Sequence, residues 1–386
     1  MKLVQLLAPT LALAALLAGC AGNVEPQYPP KPLTDIDRQV ELTREWSQDV
    51  GDGLGVARYP ITPALDDDRL FAADQSGLLR AIDTASGKTL WQIELDTPVS
   101  SGLTAVAGQI YLGTRNGEVL ALNQDDGSIV WRSRVSSEVL AAPQPNSELL
   151  VVQSVDGAVT ALDRASGEER WTYTSNEPAL TLRGTGTPRV INQVSFAGFA
   201  NGRLVTLDNR SGQPLWDMRV AVPSGRTEVD RLVDLDGQPL LTRDGRLYVT
   251  SYNGRLLALE ATSGEILWER EASSYLTPLL VGDVLFTVNE DSHVLALDAA
   301  SGRVMWESDA LEGRSLTAPA FVDGRIAVGD FAGYVHLLDA ESGELVGRSE
   351  LGTAISLSPL ADGQRLYVMD DSGELAAYRL NERASD

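Results

Sequence analysis

Cysteine is almost missing from this chain: Cys20 is the one thiol in 386 residues. No internal disulfide can form, so stability must come from packing alone. Histidine is nearly as scarce, with only His293 and His336. Two lone histidines on neighbouring strands are commonly packed or exposed rather than metal ligands. No Ser-His-Asp arrangement and no phosphate-binding loop can be read in the sequence. Lysine occurs only at positions 2, 31 and 88, and the remaining basic residues are arginine. Lys and Arg total 31 against 54 Asp and Glu, a formal net charge of −23. There is no basic stripe, which excludes a nucleic-acid partner. The acidic balance disfavours direct docking on anionic headgroups and favours solubility.

What is abundant is a repeated phrase. "ALNQDDGSIVW", "ALDRASGEERW" and "TLDNRSGQPLW" end at Trp131, Trp171 and Trp216. The same Gly-to-Trp spacing recurs at Gly87–Trp91, Gly264–Trp268 and Gly302–Trp306, and a further copy has Gly343 followed by Gly347 in the Trp slot. Upstream of each phrase lie an alternating strand, a tight Gly turn and a second strand with a small residue in its middle, such as Ala81, Ala121 or Ala258. Gly between alternating runs signals hairpins, because it accepts positive φ without a Cβ clash. An Asp ahead of the turn (Asp83, Asp163, Asp208, Asp298, Asp339) can accept an N–H from its own loop.

Four short strands per unit of about 40 residues is the pattern of a propeller blade. The Trp slots are Trp46, Trp91, Trp131, Trp171, Trp216, Trp268, Trp306 and Gly347, which predicts an all-β, eight-bladed β-propeller. The last unit, "SPLADGQRLYVMDDSGELAAYRL", stops after three strands, and the strand around Trp46 is an orphan. That strand is expected to close the last blade and remove two open edges. The tryptophans then have a structural role, in which the indole fills the wedge between blades and its N–H needs one partner.

The first twenty residues, "MKLVQLLAPTLALAALLAGC", read as a secretory signal, too short and lightly flanked for a spanning helix. The end "LAGC" resembles a bacterial lipobox, which implies cleavage before Cys20 and its acylation. Ala21 favours sorting to the outer membrane, by resemblance to bacterial lipoproteins. Residues 1–19 are thus expected to be a signal peptide. Residues 20–41 would be a lipidated cysteine with a Pro-rich tether, reaching on the order of 60 Å when extended. The ring would occupy 42–386.

Two segments break the repeat. Trp216 to Trp268 spans 52 residues, the excess falling in "VAVPSGRTEVDRLVDLDGQP" with Asp230, Asp234 and Asp236 near Val229, Leu232 and Leu235. "NEPALTLRGTGTP" precedes the fourth blade and carries Leu180, Leu182 and Arg183. Both join consecutive blades and are expected on one face, where a rigid ring carries function. An apolar pair, a forked guanidinium and paired carboxylates suit a protein-contact patch. On composition alone the alternative stands that the leucines belong to a strand and the acids to solvated turns.

The strings "WSQDVGDGLG", "LTLRG", "TEVDRLVDLD" and "GDFAGYVHLLDAESG", joined to the lipobox, resemble the BamB family, the propeller lipoproteins of the outer-membrane β-barrel assembly machinery. The resemblance covers roughly 42–380. It implies a non-enzymatic scaffold, without cofactor or metal, that binds the periplasmic POTRA domains of the barrel-inserting subunit BamA. It places the contacts at Leu180, Leu182, Arg183, Asp234 and Asp236. Blade edges could also accept a strand from a nascent outer-membrane protein. Quinoprotein dehydrogenases share the ring and the phrase, but they resemble this chain less: theirs is a redox disulfide of adjacent cysteines, and here there is only Cys20. A generic envelope scaffold with another partner is the third reading.

Overall fold

A computed structural model describes residues 29–182 and 185–383. Those residues form thirty-two strands in eight four-stranded antiparallel sheets, with no helix among them. Blades 1 to 7 occupy residues 64–94, 104–134, 144–174, 189–219, 240–271, 279–308 and 320–350. Each is a meander of strands a to d, and a strands of neighbouring blades touch around the centre of the ring. Blade 8 takes strands a to c from residues 360–382 and strand d from Val40–Asp49. The ladder runs from Val40 opposite Glu382 to Asp49 opposite Glu374, so the two ends of the chain close the ring as expected.

The repeated phrase makes one device, used seven times. Strand c pairs Ala81 with Trp91 and then Ile82 with Thr89, leaving Leu90 as a bulged extra residue. The bulge turns the indole toward the next blade. The small residue opposite leaves room for the ring. Each indole N–H donates to a carbonyl of the neighbouring blade: Trp46 to Thr84 (2.9 Å), Trp91 to Gln124 (2.8 Å), Trp131 to Arg164 (3.0 Å) and Trp171 to Asn209 (2.8 Å). Trp216, Trp268 and Trp306 repeat the bond to Ala261, Ala299 and Ala340. The ring face lies on the phrase glycine of that neighbour. A Cβ on Gly87, which sits at φ +69, would lie 2.5 Å from Cγ of Trp46. Glycine is therefore required there twice, for its backbone conformation and for close approach. The phrase aspartates cap their turns, as when Asp83 Oδ1 accepts the Ser86 amide at 2.7 Å. Arg170 and the Ser166 amide hold the Asp163 carboxyl down to about 2.

Gly347 is the informative exception. An indole in blade 7 would dock on the c–d turn of blade 8, but there the chain ends meet and no such turn exists. Val40 fills the space instead: a Cβ on Gly347 would meet the Val40 carbonyl at 2.9 Å and its Cγ2 at 3.0 Å. The opposite residue changes in compensation, with Leu337 facing Gly347 where other blades place alanine or threonine against tryptophan.

Strand d of blade 8 begins at Val40, and the segment before it lies on the ring. The Lys31 ammonium pairs with Asp309 (2.7 Å) and Glu312 (3.0 Å). Leu33 packs on the core of blades 6 and 7. The Gln39 amide donates to the Val346 carbonyl at 2.9 Å. The later part of the expected tether, from Lys31 on, thus lies against the ring; Cys20 lies outside the described residues.

Candidate functional site

The two irregular segments flank blade 4. One runs from strand d of blade 3, Glu169–Thr174, to strand a of blade 4, Arg189–Val190; the other runs from Pro214–Arg219 to Leu240–Leu241. They meet over blade 4: a Cβ on Gly186 would lie 2.5 Å from the Leu235 carbonyl and 2.8 Å from that of Gly198. The second loop is stitched to the b–c turn of blade 5. The Tyr252 amide donates to the Asp234 carbonyl (2.8 Å) and the Asn253 side-chain amide to the Leu232 carbonyl (2.8 Å). Its tip is one tight turn, held because the Asp230 carboxylate accepts the Thr227 amide at 3.0 Å and the Thr227 hydroxyl accepts the Asp230 amide at 3.1 Å.

The predicted contact residues separate into two layers. Leu180 is 47% exposed and Leu182 is half-buried. Asp234, by contrast, is only 2% exposed, and one carboxylate oxygen of Asp236 is sealed from water. Both acids are pushed well above the usual carboxylate range. Burial is the first cause for both; for Asp234 the charges of Asp236 and Glu177 add to it. Burial likewise raises Glu177. A carboxyl pair in this setting holds a proton between its members rather than two full charges. The acids therefore form the floor beneath the loops, not a charged surface. Arg183 lies outside the described residues.

The outer layer carries apolar side chains beside charged ones, with Arg226, Glu228 and Arg231 also exposed on the second loop. Val222 (58% exposed) and Val229 (65%) project from the second loop, and Tyr275 and Val155 stand on neighbouring loops. A groove of about 760 Å³ runs beside this loop, with Val222 and Asp230 on one wall and Asn253, Ser273 and Glu290 on the other. Exposed apolar side chains around a groove on a rigid frame are the makings of a protein-contact surface. Sequence reasoning did not single out Glu177, Val222 or Tyr275. Glu177 stands inside the first irregular segment, but nothing local marks it as buried.

All seven predicted tryptophans dock between blades and none reaches this surface. His336 is fully buried against Asp330, and His293 pairs with Glu307 at 3.0 Å. Among the described residues no group of three or more His, Cys, Asp or Glu is placed to hold a metal ion.

The family profile described as "Outer membrane protein assembly factor BamB" matches residues 33–98, 75–308 and 290–383. The Pseudomonas aeruginosa protein of that name is 42% identical over 97% of this chain and 98% of its own length. The crystal structure of BamB from Moraxella catarrhalis superposes with a TM-score of 0.80 at 28% identity, covering 88% of this chain and 99% of that one. A quinohemoprotein alcohol dehydrogenase from Comamonas testosteroni reaches a TM-score of 0.66 at 14% identity, covering 89% of this chain and 77% of that one, and shares the fold alone.

Proposed function

Because the chain belongs to the BamB family of outer-membrane protein assembly factors, we propose that it is a non-enzymatic scaffold lipoprotein of the barrel-assembly complex, presenting the blade 4 loops to POTRA domains of BamA. The observation that carries the reading is the convergence of the chain's two irregular segments on one face. There, exposed apolar side chains stand over a buried acidic floor. Leu180 and Leu182 supply contact area, and Arg183 supplies a fork that can bind a carboxylate or backbone carbonyls. Asp234 and Asp236 hold the loop geometry from below. Residues 1–19 act as the signal peptide. Acylated Cys20 anchors the protein in the outer membrane with the ring facing the periplasm, where it aids folding and insertion of outer-membrane proteins.

Pull-down of BamA by Leu180→Ala, Arg183→Ala and Asp234→Ala/Asp236→Ala variants tests this, each paired with its melting curve. A central contact of this kind costs roughly 2 kcal/mol when truncated, about 30-fold in affinity. Unchanged capture by folded Leu180→Ala and Arg183→Ala proteins would move the interface elsewhere on the ring. Mass spectrometry of the mature N-terminus tests the anchor: an unmodified Cys20, or cleavage elsewhere, refutes it.

A further inference from the structure

On the far side of the ring from blade 4, a cleft of about 470 Å³ opens between blades 7 and 8. Its walls carry Arg38, Arg44 and Arg348 with the hydroxyl groups of Tyr334 and Ser349, and Glu350. In a chain with a net charge of −23 this is an unusual gathering. Several arginines elsewhere are matched by carboxylates, as in Arg69 with Asp125, Arg132 with Asp96, and Arg365 and Arg379 with Glu45, and others such as Arg164 and Arg270 donate to backbone carbonyls.

The charges around the cleft do not cancel. Arg44 is neutralised by Glu374 at 2.8 Å. Arg314 is neutralised by Asp330 at 2.7 Å in the buried layer below. His336 sits between the layers: its Nε2–H donates to Asp330 (2.8 Å), and its Nδ1 accepts from Arg348 Nε (3.2 Å), which fixes it as the neutral imidazole. Among the described residues, Arg38 and Arg348 have no carboxylate within 4 Å, against the single charge of Glu350, which is engaged by the Tyr334 hydroxyl at 3.2 Å. Burial, then the positive charges of Arg314 and Arg38, push the Arg348 guanidinium down. Arg348 is also held in place: Nη1 donates to the Thr34 carbonyl at 3.0 Å, which leaves the Nη2 edge for a ligand.

We propose that this cleft is an oxyanion site that takes a phosphate group, from a lipid headgroup or as free phosphate. Two guanidinium groups with unspent donors match the oxygens of a phosphate, which accept forked hydrogen bonds from arginine. The volume leaves room for the group that carries the phosphate. Arg38 belongs to the segment that leads back toward Cys20, so the lipid source rests on the anchoring proposed above.

The test uses the processed chain, residues 20–386, with Cys20→Ser to remove the acyl site. Calorimetric titration with inorganic phosphate is expected to show millimolar binding, weakened at least tenfold by Arg38→Gln at an unchanged melting temperature. Arg348→Lys keeps the charge but loses the fork, and is expected to weaken binding as well. Sedimentation with vesicles of phosphatidylcholine, with and without phosphatidylglycerol, separates the sources. Arg38-dependent capture by phosphatidylglycerol assigns the headgroup; phosphate binding without capture assigns the free ion. Absence of both, or binding indifferent to Arg38→Gln, overturns the site. BamA capture is indifferent to all these outcomes, so the two readings fail separately.

Discussion

Replacing Gly87 with alanine isolates the strength of the inter-blade seam. The new Cβ would lie 2.5 Å from Cγ and 2.6 Å from Cδ2 of Trp46, so the indole must move. Three contributions follow. Positive φ at a non-glycine residue costs roughly 1 kcal/mol. Losing the indole N–H bond to the Thr84 carbonyl costs about 1 kcal/mol net. Partial re-exposure of the ring adds about 1–2 kcal/mol. The expected destabilisation is about 3–4 kcal/mol. Gly108→Ala is the matched control: φ there is +79, but nothing lies within 4 Å of the new Cβ, so only about 1 kcal/mol is expected. With an unfolding entropy of about 2 cal/mol/K per residue, each kcal/mol moves the melting midpoint of a ring this size by roughly 1 °C. Scanning calorimetry should therefore show Gly87→Ala falling about 4 °C and Gly108→Ala about 1 °C. In a Trp46→Ala background, Gly87→Ala should cost no more than the control, because the clash has gone. Equal shifts for the two glycines, or full additivity with Trp46→Ala, would refute the docking account.

Deleting residues 42–50 should abolish the single cooperative unfolding transition, because blade 8 loses its outer strand; an unchanged thermogram would contradict ring closure. Asp234→Asn should stabilise the protein more at pH 9 than at pH 5. The folded pair binds protons more tightly than the unfolded chain, so its stability is intact below the ordinary carboxylate pKa and is lost as pH rises through the raised folded values. Denaturant midpoints across that range for the two proteins check the sign. Gly347→Trp, although it restores the repeat, should destabilise, because Val40 already fills the slot; faster amide exchange along Val40–Asp49 would report it, and a stability gain would contradict the assignment.

The ring was legible in the sequence because its determinants are local and repeated. The fixed Gly-to-Trp spacing encodes bulge, indole and docking turn together. The orphan strand around Trp46 could be matched to the incomplete last unit by counting alone. Gly347 was visible as an exception, but its cause was not, since the missing turn and the intruding Val40 belong to opposite ends of the chain. The site was harder. The irregular segments announced themselves by length, yet nothing near Asp234 in sequence says that it is buried. That burial comes from Leu235 packing against Gly186 and from the Tyr252 amide crossing from blade 5. The arginine cleft is likewise assembled from residues more than 300 positions apart, Arg38 and Arg348, which no periodicity connects.

The pairing of Val40 with Glu382 across 342 residues also sets a schedule. The strand that is made first has no partner until the last strand has followed it. Seven blades can form as the chain emerges, each by a local meander, but the ring has an unlatched seam until Glu374–Glu382 has been made. A chain interrupted before Glu374–Glu382 would expose the edge of Val40–Asp49 to proteases and to other strands. The latch thus reads out whether both of its strands have been made, and only a chain that carries both is a closed ring.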